Sequence, residues 1–281
     1  MPAPLARSPW RRALAGGAVV LALSGLAACG GGSDSGDSSN NAFSVGGSSS
    51  SASSTGSSAP SAPDLQPGDS VSKDQMADLM KTAATSMKTA HVTMNMDGSV
   101  SGQSMTVKAQ GDMQVSPMAE HLTMDLMGQQ IEVLMVDNTM YMKSALLGGG
   151  DKWAKADLSA LGGAGLSDAM SNPLSLIDKM ADAVTSATYK GEEKVAGTDT
   201  KHYTYTVDTK KAVGALGTSA SEAAMPDSIS ADIWIDDQGR MVQSKTAMGS
   251  TGTVTMTMSD FDKDVSISAP PSDQVTDLPT P

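Results

Sequence analysis

Cys29 is the only cysteine among the 281 residues, and the chain changes character on either side of it. Before it, residues 13–26 form an apolar run that follows Arg7, Arg11 and Arg12. After it comes a long tract dominated by glycine and serine. A single cysteine excludes intramolecular disulfides, CxxC motifs and thiolate metal clusters. Any folded core must therefore be held together by noncovalent packing alone. The Gly/Ser composition of the tract indicates that this core lies downstream of it.

The residues Leu26, Ala27, Ala28 and Cys29 resemble a bacterial lipobox. In signals of this kind the cysteine thiol receives a diacylglyceryl group, and a peptidase that needs small neighbouring side chains cuts the bond before it. The preceding apolar run is shorter than the roughly 20 residues of a transmembrane helix. The alternatives are an uncleaved anchor helix or a secretory signal with a chance cysteine. The resemblance predicts a signal peptide over residues 1–28 and palmitate-type lipidation of Cys29. It places the chain on the extracytoplasmic face of the cell membrane.

The charge balance limits the partners of the mature chain. The first 28 residues hold three of the 19 basic residues and none of the 31 acidic ones, so the remainder carries a net charge near −15. Nucleic acid is excluded as a partner, because binding phosphates needs clustered lysine and arginine. Docking to anionic lipid by charge is excluded for the same reason. The membrane contact must therefore come from the N-terminal lipid anchor, and two or more acyl chains hold stably.

Composition divides the mature chain into three parts. Residues 29–70 are predicted to be a lipidated N-terminus and a disordered Gly/Ser/Pro tether, because such a sequence cannot bury enough apolar surface to fold. A coil of this length reaches roughly 35 Å. Residues 71–268 are long enough for one domain with a sizeable core. Residues 269–281 are predicted to be a disordered tail.

The spacing of apolar residues predicts the order helix, strands, helix, strands. Ser72 and Gln75 have the spacing of a capping box, which predicts a first helix over residues 73–89. From His91 onward, apolar and polar residues alternate between tight turns, which is typical of an antiparallel meander. Gly111 is a candidate bulge within it. Residues 172–184 predict a second helix that begins with Asn-Pro. This order indicates an α+β fold in which helices cover one face of a single antiparallel sheet.

Residues 72–264 resemble the LppX/LprA/LprF/LprG lipoprotein family of mycobacteria and other actinobacteria. That family shares a fold with the LolA/LolB carriers. Three features carry the resemblance: the lipobox with its Gly/Ser tether, the segment Thr89-Ala90-His91-Val92-Thr93-Met94, and the segment Asp232-Ile233-Trp234-Ile235-Asp236-Asp237-Gln238-Gly239-Arg240. The resemblance implies a curved, half-barrel sheet with helices on its concave face. It implies an apolar cavity that takes acyl chains of lipids or glycolipids in transit across the cell envelope, an envelope transporter as a candidate partner, and a monomer.

Methionine dominates the apolar positions of this chain. There are 21 methionines but only 3% aromatic residues, which departs from the family pattern. Methionine is flexible and polarizable and suits surfaces that accept varied apolar shapes. The alternative is that methionine simply fills a core that lacks phenylalanine. The residues predicted to line the lipid cavity are Met94, Met96, Leu122, Met124, Leu126, Ile131, Val133, Met135, Leu174, Ile177, Ile233, Ile235, Met256 and Met258.

The sequence contains little that indicates a catalytic site or a metal site. The three histidines, His91, His121 and His202, lie in separate strand patterns without HxH or HxxxH spacing. A Gly-Asp-Ser triplet at residues 68–70 falls in the linker and lacks a strand-to-helix elbow. Neither GxSxG nor a phosphate loop between strand and helix occurs. We therefore expect no enzyme activity, no cofactor and no metal. The alternative to a lipid carrier is a tethered cell-surface module that binds a protein partner and has no ligand cavity.

Overall fold

The computed structural model describes residues 65–100, 103–126, 128–145, 151–157, 173–216, 226–249 and 252–277. The signal peptide, Cys29 and the tether up to residue 64 lie outside these residues, so their predicted roles remain predictions. Among the described helices, none combines the length and the apolar character needed to cross a membrane.

The described residues follow the predicted order of helix, strands, helix and strands, with a further short helix at residues 209–216 and a short strand inside the predicted tail. The helices are α1 (Lys73–Thr85), α2 (Pro173–Ala181) and α3 (Thr209–Leu216). The strands are β1 (Thr89–Val100), β2 (Gln103–Gln114), β3 (Ala119–Leu126), β4 (Gln129–Val136), β5 (Thr139–Ser144), β6 (Trp153–Asp157), β7 (Val184–Val195), β8 (Thr198–Asp208), β9 (Ser228–Asp236), β10 (Met241–Ala247), β11 (Gly252–Ser259) and β12 (Val275–Asp277).

All twelve strands belong to one sheet with the order β12-β6-β5-β4-β3-β2-β1-β11-β10-β9-β8-β7. Neighbouring strands are antiparallel except for β12 and β6, which are parallel. The sheet is open, because β12 and β7 end the order without pairing with each other. The predicted α+β class, with a single sheet that is antiparallel except at the β12–β6 edge, is confirmed.

The three helices pack on one side of this sheet, which we call the helix-facing side. α1 contacts α2 and β7, α2 contacts α3, and α3 contacts β8. The main core joins these helices to the sheet and includes Met76 and Leu176 from the helices with Val92, Tyr203 and Ile233 from the strands. The helices therefore lie mainly over the β7 end of the sheet. The opposite side of the sheet is called the outer side.

Two helix starts follow from local sequence. In α1, Ser72 Oγ accepts from Gln75 N at 3.2 Å and Gln75 Oε1 accepts from Ser72 N at 2.9 Å, so the predicted capping box is present. At α3, Asp208 Oδ1 accepts from Lys211 N at 3.0 Å, which satisfies one of the free N–H groups of the first turn.

Some predicted boundaries differ. α1 ends at Thr85, short of residue 89, because β1 already begins at Thr89. Val184 belongs to β7, since α2 ends at Ala181. Gly111 is not a bulge: the register runs unbroken past it, with Val92 on one side and Leu122 on the other. A Cβ at Gly111 would lie 1.9 Å from the carbonyl oxygen of His121, so glycine is needed there for a close approach of two backbones.

The segments at both ends of the described chain pair with the edges of the sheet, where a tether and a disordered tail are predicted. Gly68 N donates to Tyr189 O at 2.8 Å and Val71 N donates to Ala187 O at 2.9 Å, along the free side of β7. At the other edge, Val275 pairs with Trp153 of β6. Unpaired edge strands present free N–H and C=O groups, so each terminal segment satisfies part of an edge.

Candidate functional site

The twelve strand residues predicted to line a cavity all lie on the helix-facing side. Cross-strand partners share a side, and the register pairs Met94 with Met256, Leu122 with Val133, and Met124 with Ile131. The polar residues between them, such as Thr123, fall on the outer side. Alternation along each strand therefore identified the correct side, although these residues divide into three structural groups.

The first group is packed into the main core. It consists of Leu122, Ile233, Ile235, Met256 and Met258, each no more than 5% exposed. Side chains buried in this way fill the space between sheet and helices. For these five residues the alternative interpretation, core filling without phenylalanine, is sufficient.

The second group forms a separate patch, which we call the methionine cluster. It comprises buried Met94, Ala109 and Val254, with half-buried Met96, Met124 and Met248 packed against them. Its members lie on β1, β2, β3 and β11 and directly after β10, away from the contacts that α1 and α3 make with β7 and β8. The half-buried thioether side chains therefore leave apolar surface on the helix-facing side that is not packed into the main core.

The third group is a strip along β3 and β4 that belongs to neither cluster. Ile131 is buried, whereas Leu126, Val133 and Met135 are half-buried. The strip continues into β5, because Val133 pairs with Met142 and Met135 with Met140. The cavity prediction omitted Met140 and Met142, which the same alternation would have identified. We call the six residues Leu126, Ile131, Val133, Met135, Met140 and Met142 the β3–β5 strip.

The two predicted helix residues lie in α2. Ile177 is buried and Leu174 is half-buried, but neither belongs to the main core cluster. The core residues of α2 are Leu176 and Met180.

Glu120 and Tyr205 are ionisable groups that share the helix-facing side with these apolar residues, and both are half-buried. Burial raises the pKa of Glu120 to about 7. Burial, followed by the charge of Asp232, raises the pKa of Tyr205 to about 12. The sequence analysis did not single out either group. The sequence could have identified Glu120 by its position two residues before the apolar Leu122, because residues two apart in a strand share a face.

The side chains of the three histidines, of Trp153 and of Trp234 lie on the outer side instead. His202 Nε2 lies 2.9 Å from Asp232 Oδ1 and its Nδ1 lies 3.0 Å from Glu193 Oε1. Its ring stacks on Trp234, whose Nε1 donates to Glu193. Hydrogen bonds and stacking of this kind bind β7, β8 and β9 together. Trp234 is therefore a buried anchor of the outer side and does not face the helices.

Comparison with known proteins identifies the family. A sequence profile described as LppX_LprAFG lipoprotein matches residues 73–267. The chain belongs to the LppX/LprAFG lipoprotein family. The predicted membership is thereby confirmed, and it implies a lipid-binding lipoprotein at the membrane, on its extracytoplasmic side. No curated protein matches the sequence.

Several solved structures are similar to this chain at low identity. Lipoprotein LppX of Mycobacterium tuberculosis aligns with a TM-score of 0.52 at 18% identity, covering 70% of this chain and 100% of that chain. LprF of Mycobacterium bovis aligns with a TM-score of 0.41 at 15% identity, covering 70% and 96%. A LolA superfamily protein of Nitrosomonas europaea gives a TM-score of 0.25 at 7% identity, covering 70% and 96%. At 18% identity, the likeness to LppX supports the fold and no finer statement.

Proposed function

We propose that this lipoprotein binds the acyl chains of lipids or glycolipids on the helix-facing side of β1–β5 and carries them across the cell envelope. The observation that carries the proposal is the pair formed by the methionine cluster and the β3–β5 strip. Their apolar side chains lie on the helix-facing side and outside the main core, and eight of the twelve are only half-buried. Contiguous apolar surface that is left exposed to water commonly marks a binding site, so this surface favours an apolar ligand that covers it.

Acyl chains fit the chemistry of this surface. Transfer of each CH₂ group out of water contributes about 0.8 kcal/mol, so a chain of about 16 carbons contributes on the order of 12 kcal/mol before the cost of association. Methionine side chains adapt their shape at small energetic cost and keep favourable contacts with varied chains. The surface is therefore suited to several lipids of similar apolar character.

Anchoring and carriage follow from the N-terminal sequence. Lipidation of Cys29 would hold the domain at the extracytoplasmic face of the membrane, with the tether giving it roughly 35 Å of reach. Within that reach a monomeric domain meets lipid leaving the membrane and passes it to an envelope transporter or acceptor. The domain acts here as a binding protein rather than an enzyme.

Lipid analysis of the soluble domain tests the proposal. Residues 61–281, which lack Cys29, contain every strand and helix that the structure describes, together with the segments that pair with both edges of the sheet. This segment is exported in its native host, purified without detergent, and extracted for mass spectrometry. We expect a stoichiometric lipid that is lost in Val133→Asp. Thr123→Asp, on the outer side of the neighbouring strand, serves as the matched control and should retain the lipid.

A soluble domain that unfolds cooperatively but contains no lipid would contradict the proposal. It would favour the alternative function, a tethered module that binds a protein partner through its surface. Equal lipid loss in Val133→Asp and Thr123→Asp would also contradict the proposed site.

A further inference from the structure

Glu120 lies on the apolar side of the sheet with apolar neighbours. The register places it between Met113 of β2 and Met135 of β4, and its same-face neighbour along β3 is Leu122. Met113 and Leu122 are buried in the main core, and Met135 belongs to the β3–β5 strip. The carboxyl group therefore stands at the border between the packed core and the half-exposed apolar surface.

The other acidic residues of β2, β3 and β4 all lie on the outer side, and each has a partner. Asp112 Oδ1 lies 2.7 Å from His91 Nδ1. Asp125 Oδ1 accepts from Gly128 N at 3.1 Å, and Glu132 lies 3.6 Å from His121 Nε2. Within the described part of the chain, no hydrogen bond or ion pair involves the Glu120 carboxyl group, and burial alone accounts for its raised pKa.

A half-buried carboxyl group without a protein partner is unfavourable in an apolar surrounding, because it loses part of its hydration and gains no hydrogen bond from the protein. A ligand that donates a hydrogen bond removes this penalty when it binds. A ligand that brings a phosphate to the same place increases it, since two negative charges then meet in an apolar surrounding. The position therefore favours an uncharged donor over an anionic group.

Resting on the proposed function, we propose that Glu120 is a specificity-determining residue that accepts a hydrogen bond from a free hydroxyl group of an uncharged lipid and disfavours anionic phospholipids. The acyl chains of such a lipid cover the β3–β5 strip while its hydroxyl group contacts Glu120. The ligand class is an acylated alcohol or sugar, in which hydroxyl groups adjoin the acyl chains.

The test compares three short-chain lipids with identical acyl groups by titration calorimetry on residues 61–281. Dioctanoylglycerol carries a free hydroxyl group, dioctanoyl phosphatidic acid carries a phosphate there, and trioctanoylglycerol has no donor. We expect the unmodified domain to bind dioctanoylglycerol about tenfold more tightly than the phosphatidic acid. Glu120→Leu should weaken dioctanoylglycerol about tenfold and leave trioctanoylglycerol unchanged.

Two further variants separate this role from a structural one. Glu120→Gln keeps a hydrogen-bonding group and removes the charge, so it should retain dioctanoylglycerol and bind phosphatidic acid more tightly than the unmodified domain does. Glu132→Leu, on the outer side of β4, should change none of the three affinities. Unaltered dioctanoylglycerol binding in Glu120→Leu would overturn the inference and leave the proposed function intact. Failure of all three lipids to bind the unmodified domain would overturn the proposed function itself.

Discussion

Arg240 holds the carboxylate of Asp236 through two nitrogen atoms, Nε and Nη2, each 2.8 Å from Oδ2. The other oxygen, Oδ1, accepts the backbone N–H groups of Gln238 at 2.9 Å and of Arg240 at 2.8 Å. The Arg240 guanidinium group also lies 4.3 Å from the ring centre of Phe261. The turn between β9 and β10 is thereby tied to the segment that follows β11.

Replacing Asp236 tests how much this hydrogen-bond network contributes to the free energy of unfolding. Asp236→Asn keeps the shape but loses the charge that strengthens these hydrogen bonds, so the free energy of unfolding should fall by about 2 kcal/mol in urea titration. The neighbouring Asp237 is exposed and provides the control: Asp237→Asn should change stability by less than about 0.5 kcal/mol. Equal effects at the two positions would show that the network contributes nothing specific.

The stacked pair of His202 and Trp234 should be energetically coupled. The ring centroids are 4.4 Å apart and the planes are inclined by only 15°. A double-mutant cycle of His202→Ala and Trp234→Leu should give a coupling energy of about 1 kcal/mol. The pair of His121 and Trp153, edge-to-face at 6.2 Å, is the comparison and should couple more weakly. The reverse order of the two coupling energies would contradict this view of the outer side.

Gly111 should be intolerant of any side chain. Its Cβ would meet the backbone of His121 and Leu122 at 1.9 and 2.9 Å, and backbone atoms cannot move aside without breaking the β2–β3 pairing. Gly111→Ala should therefore destabilise the domain by more than about 3 kcal/mol in urea unfolding. Gly214→Ala is the control, since α3 has open space there; it should stabilise by about 0.5 to 1 kcal/mol. A tolerated Gly111→Ala would refute the close approach.

Glu120 makes stability depend on pH. Because burial raises its pKa from 4.5 to about 7, the folded state binds the proton more tightly than the unfolded state does. The contribution to stability is fully present below pH 4.5 and is lost as pH rises towards about 7. Glu120→Gln stays neutral, so it should leave stability unchanged near pH 4 and raise it by roughly 3 kcal/mol near pH 8.5.

Urea titrations at the two pH values check this prediction. Glu132→Gln is the control, because that carboxylate lies on the outer side beside His121 and Lys143. It should not gain stability near pH 8.5. A Glu120→Gln variant with the same effect at both pH values would contradict the assignment of the carboxyl group to a desolvated site.

The sequence was sufficient for features that depend on local order. Alternation assigned residues such as Met94 and Val133 to the correct side of the sheet, and the Ser72–Gln75 spacing predicted the start of α1. These features depend on periodicity and capping, which act within a few residues.

What the sequence did not predict depends on pairing between distant residues. It cannot show that Val133 stays half-exposed while Ile233 is packed, because that depends on where the helices lie over the sheet. Asp236 and Asp237 are adjacent and of the same residue type, yet Asp236 alone of the two is buried, through its contacts with Arg240. The pairing of residues 68–71 with β7 joins parts of the chain more than 100 residues apart, which no local pattern indicates.

The pairing of residues 68–71 with β7 sets where a protease can cut the chain before the domain without disturbing its sheet. A cut upstream of Leu65 would leave the hydrogen bonds of Gly68 and Val71 to β7 in place, so the shed domain would keep its sheet. A cut after Val71 would strip that edge and leave the backbone of Ala187 and Tyr189 free to pair with another chain. A difference of only a few residues in the position of the cut thus decides whether the released domain keeps its sheet edge covered or becomes prone to aggregate.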